Sequence, residues 1–126
     1  MELKKILIVD DDAGIRRIAE LSLTKVGKLD VTLAKSGAEA LEMVKSQRPD
    51  LILLDVMMPG MDGPSTFLEL RRGRETADIP VILLTAKVQG ADQKRFASLG
   101  VSGVLFKPFD PMTLAQQMSD TLGWKD

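Results

Sequence analysis

The chain has 126 residues, the usual size of one domain, and we expect residues 1–126 to form a single domain. With 17 Lys and Arg against 18 Asp and Glu, no global field attracts nucleic acid or an anionic membrane surface. The absence of both Cys and His excludes disulfides, Ser-His-Asp and Cys-His catalysis, and zinc sites built on those residues. The first apolar run, residues 6–9, is too short for a membrane span or a secretory leader, so we expect a soluble, cytoplasmic protein.

Short apolar runs alternate with longer stretches of helical spacing, which predicts βαβ units. The predicted strands are residues 6–9, 31–34, 51–54, 81–84 and 104–106. The predicted helices are residues 15–26, the stretch between Ser36 and Pro49, the stretch after Asp62, residues 91–99 and residues 113–122.

Helix boundaries are marked by capping residues. Ser36 and Asp62 are predicted N-caps, and Glu39 stands three residues after Ser36 as in a capping box. Gly27 and Gly100 are predicted to end the first and fourth helices. Asp12, directly before the first helix, is interpreted as an N-cap rather than a metal ligand.

The third and fourth strands are apolar without alternation, as expected of central parallel strands covered by helices on both faces. Five β/α pairs in one chain therefore predict an α/β fold with an open, doubly wound sheet. Ligands of such sheets bind outside the carboxyl ends of the strands, which makes these ends the place for a site.

Five polar residues stand at predicted strand ends: Asp10, Asp11, Asp55, Thr85 and Lys107. Three carboxylates at one rim repel each other unless a cation lies among them, and Mg²⁺ is the hard cation that prefers such oxygen ligands. The Lys107 ammonium and the Thr85 hydroxyl suit the oxygens of a phosphoryl group. Asp55 ends the central strand and is the best candidate for a nucleophile that forms an aspartyl phosphate.

Four motifs together resemble the receiver domain of bacterial two-component response regulators. They are residues 9–12 (Val-Asp-Asp-Asp), residues 54–63 (Leu-Asp-Val-Met-Met-Pro-Gly-Met-Asp-Gly), residues 84–86 (Leu-Thr-Ala) and residues 106–109 (Phe-Lys-Pro-Phe). The resemblance runs from Lys4 to Leu122 and implies a flavodoxin-like strand order of 2-1-3-4-5 with about five helices.

The resemblance implies a role for each rim residue. Asp55 would accept the phosphoryl group, Thr85 and Lys107 would contact it, and Asp10, Asp11, Asp55 and the backbone carbonyl of Met57 would hold Mg²⁺. It also implies a cis peptide bond between Lys107 and Pro108.

The resemblance implies a signalling switch, apparently a stand-alone one, rather than an enzyme with its own substrate. The phosphoryl donor would be a histidine kinase or a histidine phosphotransfer protein, since this chain has no His. The downstream partner would be a protein that docks on the fourth helix, fifth strand and fifth helix, with no direct contact to nucleic acid or membrane.

Two features depart from the commonest pattern of the family. Val104 stands where receivers usually carry a switch aromatic, which puts the usual Thr-aromatic coupling in doubt. Met57 and Lys87 stand at positions that influence hydrolysis in receivers, and neither orients an attacking water well. We therefore expect a long-lived phosphoaspartate.

Three other functions compete with this interpretation. A magnesium phosphatase resembling the haloacid dehalogenase class would carry its nucleophile after the first strand and usually needs a cap insertion. A flavodoxin-like cofactor binder would want a Gly-, Ser- or Thr-rich loop where this chain has three acids. A receiver that docks without being phosphorylated is the third alternative, and the intact set of rim residues argues against it.

Overall fold

The computed structural model describes residues 4–86 and 90–123. The strands are β1 (Lys5–Val9), β2 (Asp30–Ala34), β3 (Leu51–Asp55), β4 (Val81–Thr85) and β5 (Gly103–Phe106). The helices are α1 (Ala13–Leu21), α2 (Gly37–Ser46), α3 (Gly63–Arg72), α4 (Gly90–Leu99) and α5 (Leu114–Leu122). A π-helical segment, Ser22–Val26, continues α1.

All five strands are parallel and pair in the order β2-β1-β3-β4-β5. This confirms the predicted doubly wound sheet and its strand order. The carboxyl ends of β1, β3 and β4 meet near the middle of one edge of the sheet, where Val9 pairs with Leu54 and Asp55 with Leu84.

The sheet buries apolar side chains on both faces, because successive residues of a strand point to opposite sides. Leu7, Ile52 and Leu83 lie on the face covered by α2, α3 and α4. Ile8 and Leu53 lie on the face covered by α1 and α5. Within the described ranges, no helix is both long and apolar enough to cross a bilayer.

Three helices begin at the predicted capping residues. Asp12 accepts hydrogen bonds from the N–H groups of Gly14 (2.8 Å) and Ile15 (3.1 Å), which confirms its role as the N-cap of α1. Ser36 and Asp62 cap α2 and α3 in the same way.

The reciprocal bond of the α2 cap differs from a standard capping box. The Glu39 carboxylate accepts from the N–H of Lys35, at 3.1 Å, rather than from that of Ser36. The side chain therefore ties down the residue before the N-cap.

The first helix departs from the continuous α-helix that its apolar spacing predicts. Beyond Leu21 the spacing between donor and acceptor increases from four residues to five, and the N–H of Gly27 donates to the carbonyl of Ser22 at 3.2 Å. The Ser22 hydroxyl donates to the carbonyl of Pro111, which ties the segment to the chain before α5. Gly27 keeps an ordinary φ of −81°, and Lys28 takes the left-handed conformation at φ 59°.

Helix α5 lies close to strand β5 at one position. A Cβ on Gly103 would overlap the Cγ2 methyl of Thr121, so a larger residue here would require the Thr121 side chain to move. Gly103 belongs to β5 and Thr121 to α5, so the contact marks a close approach of these two elements.

Candidate functional site

The site lies at the carboxyl ends of β1, β3, β4 and β5. Asp10 directly follows β1, Asp55 and Thr85 end β3 and β4, and Lys107 directly follows β5. The N–H of Lys107 donates to the carbonyl of Thr85 at 2.9 Å, so the β4–β5 pairing extends to the rim. The structure thus brings together four of the residues that the sequence predicts for the site.

Three carboxylates form one cluster. Asp10, Asp11 and Asp55 each offer an oxygen, and these oxygens all lie within 4.8 Å of one another. Asp10 and Asp55 are buried, whereas Asp11 is exposed at the mouth of the cluster. The cluster is therefore closed toward the sheet and open toward solvent.

The Lys107 ammonium bridges the two buried acids. Its Nζ lies 3.0 Å from Oδ1 of Asp55 and 3.0 Å from Oδ2 of Asp10. Burial lowers the pKa of Lys107, but its contacts with Asp10 and Asp55 outweigh this effect and raise the pKa above its usual value. The side chain therefore carries its charge at any physiological pH.

Burial also governs the titration of Asp55. The pKa of this carboxyl is raised from 3.8 to about 6, mainly by burial and also by the negative charge of Asp10. The Lys107 ammonium and a hydrogen bond from the backbone of Met57 act in the opposite direction. Asp55 is consequently a more basic carboxylate than an exposed one, while still mostly ionised above neutral pH.

The residues of the cluster fit a hard divalent cation. All three donors are carboxylates, and the sequence contains no softer Cys or His ligand. Oδ2 of Asp10 is buried and lies 3.0 Å from the Lys107 ammonium. A buried carboxylate oxygen that shares one ammonium with a second acid, beside an open mouth, fits a cation as well.

Asp10 is held by its own turn. Its Oδ1 accepts from the N–H of Asp12 at 2.9 Å, and its carbonyl oxygen accepts from Nη1 of Arg16 at 2.7 Å. Sequence reasoning missed Arg16. The available signal was its position one turn after the N-cap Asp12, because helical side chains lean toward the N-terminus and can reach the end of the preceding strand.

Gly63 ends the motif of residues 54–63, but sequence reasoning gave it no role of its own. At this first residue of α3 a Cβ would overlap the carbonyl oxygen of Asp55 and lie 2.9 Å from Cα of Val56. Its N–H donates to the carbonyl of Val56 at 3.0 Å. The start of α3 thus packs directly on the main chain of the candidate nucleophile, which only a glycine permits.

The remaining predicted positions are placed as follows. Thr85 is buried at the end of β4, and the Lys107–Pro108 peptide bond is cis, as predicted. The side chain of Met57 is 61% exposed beside Asp55. Val104 is half-buried against the core on the α2–α4 face. Lys87 lies outside the described residues.

Comparisons with known proteins show which family this chain matches. Residues 6–119 match the response regulator receiver domain family. The chain is 40% identical over 122 residues to "Probable transcriptional regulator ycf27" of Porphyridium aerugineum, covering 97% of this chain and 49% of that protein. It is 42% identical to the transcriptional regulatory protein AfsQ1 of Streptomyces coelicolor, covering 84% of this chain and 45% of that protein. The chain thus spans about half the length of these curated relatives.

A solved structure shows the same fold. Chemotaxis protein CheY4 of Vibrio cholerae superposes with a TM-score of 0.87 at 31% identity, covering 96% of this chain and all of that one. The matched family is neither the haloacid dehalogenase class nor a group of flavin-binding proteins, which were the alternatives left open by the sequence. This chain belongs to the response regulator receiver domain family.

Proposed function

We propose that Asp55 accepts a phosphoryl group and that Thr85 and Lys107 contact this group. The observation that carries the proposal is the Lys107 ammonium, which lies 3.0 Å from both buried acids of a three-carboxylate cluster. An anionic phosphoryl group attached to Asp55 would lie next to this ammonium. The buried position of Asp55 at the end of the central strand supports its role as the nucleophile.

The chemical step is an in-line displacement at phosphorus. An oxygen of the Asp55 carboxylate forms a bond to phosphorus, and the bond from phosphorus to the donor atom breaks, with its electron pair leaving on the donor. The raised pKa of Asp55 makes its carboxylate a better nucleophile than an ordinary one. Lys107 then holds a phosphoryl oxygen by a charge-assisted bond, and Thr85 donates its hydroxyl to another.

We propose that Asp10, Asp11, Asp55 and the backbone carbonyl of Met57 hold Mg²⁺. Bound there, the ion would neutralise charge on the phosphoryl oxygens during transfer. The carboxylate cluster, two of whose members are buried, supports this assignment.

The proposed donor is the phosphohistidine of a histidine kinase or phosphotransfer protein, because this chain has no His of its own. We place the transfer in the cytoplasm, with which a chain free of Cys is compatible. Residues 1–126 would act as one receiver domain that serves as a signalling switch and processes no substrate besides its own acceptor.

The proposed output surface is formed by α4, β5 and α5. Phe106 on β5 is 40% exposed there, an apolar ring that a protein partner could cover. Val104 on the same strand is a small, half-buried side chain. Switching would therefore proceed through the backbone of β5 or through another side chain, rather than through rotation of an aromatic at position 104. We propose that the partner is a protein and that the domain contacts neither nucleic acid nor a membrane directly.

Intact mass after incubation with acetyl phosphate tests the acceptor. The wild type should gain one phosphoryl mass only when Mg²⁺ is present, and Asp55→Asn should gain none. Asp50→Asn is the matched control: Asp50 lies just before β3, at the opposite end, where its carboxylate accepts from the N–H groups of Lys4 and Lys5. No gain by the wild type under any condition would refute the proposal and favour docking without phosphorylation.

A further inference from the structure

Arg16 contacts the candidate cation site through the main chain. Its own N–H donates to the carbonyl of Asp12 at 3.0 Å, which places it in the first turn of α1. From there the half-buried side chain turns back toward β1, and Nη1 donates to the carbonyl oxygen of Asp10 at 2.7 Å. The contact therefore joins the helix to the residue that ends the strand.

The Arg16 bond completes the set of partners around Asp10. The N–H of Asp10 donates to the carbonyl of Ala34 at 3.1 Å, and Oδ1 accepts from the N–H of Asp12 at 2.9 Å. Oδ2 is buried and paired with Nζ of Lys107 at 3.0 Å. The contacts of the main chain and of Oδ1 thus hold the Asp10 carboxylate in place within the cluster.

The neighbouring Arg17 does none of this. Its side chain is 71% exposed and lies 3.6 Å from the Glu20 carboxylate, one turn further along α1. Two consecutive arginines of the same helix thus carry the same charge but differ in their contacts: Arg16 bonds the turn that carries the acids, and Arg17 pairs with Glu20 at the surface.

We propose that Arg16 is a positioning residue for the divalent-cation site, an inference that rests on the proposed function. By holding the carbonyl of Asp10, it fixes the peptide between Asp10 and Asp11, and hence the direction in which both carboxylates point. Groups that orient metal ligands in this way contribute strongly to metal affinity.

Charge and position predict opposite effects for this residue. An arginine acting only as a nearby positive charge would repel Mg²⁺, so removing it would tighten binding. An arginine that positions Asp10 would instead favour Mg²⁺ binding, so removing it would weaken binding. The sign of the change in affinity therefore decides between the two.

The test is the Mg²⁺ dissociation constant, measured by isothermal titration calorimetry on the wild type, Arg16→Gln, Arg16→Lys and the control Arg17→Gln. We expect Arg16→Gln to weaken binding about tenfold and Arg16→Lys to fall between it and the wild type. Arg17→Gln should stay within about twofold of the wild type, because an exposed charge is screened. Binding by Arg16→Gln that equals or exceeds that of Arg17→Gln would overturn the inference.

Amide hydrogen exchange in the metal-free protein supplies an independent readout. If Arg16 fixes the turn, Arg16→Gln should speed exchange of the Asp12 amide, which donates to Asp10, while Arg17→Gln should leave it unchanged. Should Arg16→Gln fail to fold, Arg16→Lys decides: weaker binding than Arg17→Gln supports the inference, and equal binding refutes it. A wild type that binds no Mg²⁺ would instead refute the proposed function itself.

Discussion

Nζ of Lys107 lies 3.0 Å from Oδ1 of Asp55, a contact between residues 52 positions apart in the sequence. The Asp55 side chain is 4% exposed and that of Lys107 is 20% exposed, so water screens the pair only weakly. The pair is therefore expected to affect both the stability of the domain and the chemistry of its acceptor.

Asp55 should make stability depend on pH. Its folded pKa of about 6 exceeds the ordinary 3.8, so the folded state binds this proton more tightly than the unfolded state does. The stabilisation from this group is fully present below about pH 4 and is lost as pH rises through about 6. Without Mg²⁺, Asp55→Asn should exceed the wild type in free energy of unfolding by about 1 to 3 kcal/mol at neutral pH.

Urea unfolding in EDTA at neutral pH and at about pH 4 measures this effect. The difference between Asp55→Asn and the wild type should nearly vanish at about pH 4, where the wild-type carboxyl is protonated in the folded protein. A difference that grows on acidification would contradict the assignment.

Lys107→Met should destabilise the metal-free protein by about 1 to 3 kcal/mol, because two buried carboxylates lose their shared counter-ion. Saturating Mg²⁺ should restore much of that stability by supplying a cation to the same acids. Melting temperatures with and without Mg²⁺ test this, with Lys45→Met as control, since Lys45 is exposed and pairs with the exposed Glu42. An equal loss for Lys107→Met in both conditions would show that the ammonium and the ion do not share the acids.

Gly63→Ala should cost about 2 kcal/mol or more, because the new Cβ meets main-chain atoms of Asp55 and Val56 that cannot move independently. Gly60→Ala is the comparison: its surroundings are open, and the strain at its φ of +77° should cost about 1 kcal/mol. Chemical denaturation compares the two variants. Gly63→Ala should in addition slow phosphorylation by acetyl phosphate, whereas Gly60→Ala should not. Equal phosphorylation rates for the two variants would show that the Gly63 contact does not affect the chemistry of Asp55.

Asp12 should behave as a cap rather than a metal ligand. Asp12→Ala removes the acceptor for the N–H groups of Gly14 and Ile15 and should cost about 1 kcal/mol, whereas Asp12→Asn keeps it and should cost less than about 0.5 kcal/mol. Because the lost charge is solvent-screened, Mg²⁺ affinity should change less than about threefold in either variant, as titration calorimetry would show. A much larger loss of affinity would make Asp12 a ligand.

The phosphoaspartate should be long-lived. The Met57 side chain is 61% exposed beside Asp55, and its thioether offers only a weak acceptor to an attacking water. We expect Met57→Asn to shorten the half-life, measured by loss of the phosphoryl mass after removal of acetyl phosphate. Met112→Asn, at another exposed methionine, should not change it. A wild-type half-life of only seconds would contradict the prediction.

The sequence predicted the rim residues because their positions depend on strand ends alone. Once residues 51–54 and 81–84 are interpreted as parallel strands, Asp55 and Thr85 must share one edge of the sheet. The cap at Asp12 was predictable for a similar reason, since capping depends on residues two and three positions away.

The π-helical segment was not predictable, because it depends on contacts that are distant in sequence. The apolar spacing through Ile18, Leu21 and Val26 favours a continuous α-helix, yet these three side chains are all more than 40% exposed. Ser22 lies next to Pro111, 89 residues away, and no local pattern reports such a neighbour. Arg16 and Asp10 are only six residues apart, but their hydrogen bond was not predictable either. Whether the Arg16 guanidinium bonds the Asp10 carbonyl or points into solvent depends on the conformation of the turn between them.

The overlap that a Cβ on Gly103 would make with Thr121 bears on the proposed output surface. The missing side chain of Gly103 lets the Thr121 methyl approach the main chain of β5, so the strand and α5 touch directly at this position. We therefore expect a backbone shift of β5 at Gly103 to alter the packing of α5, and a partner that covers both elements would sense the two changes together.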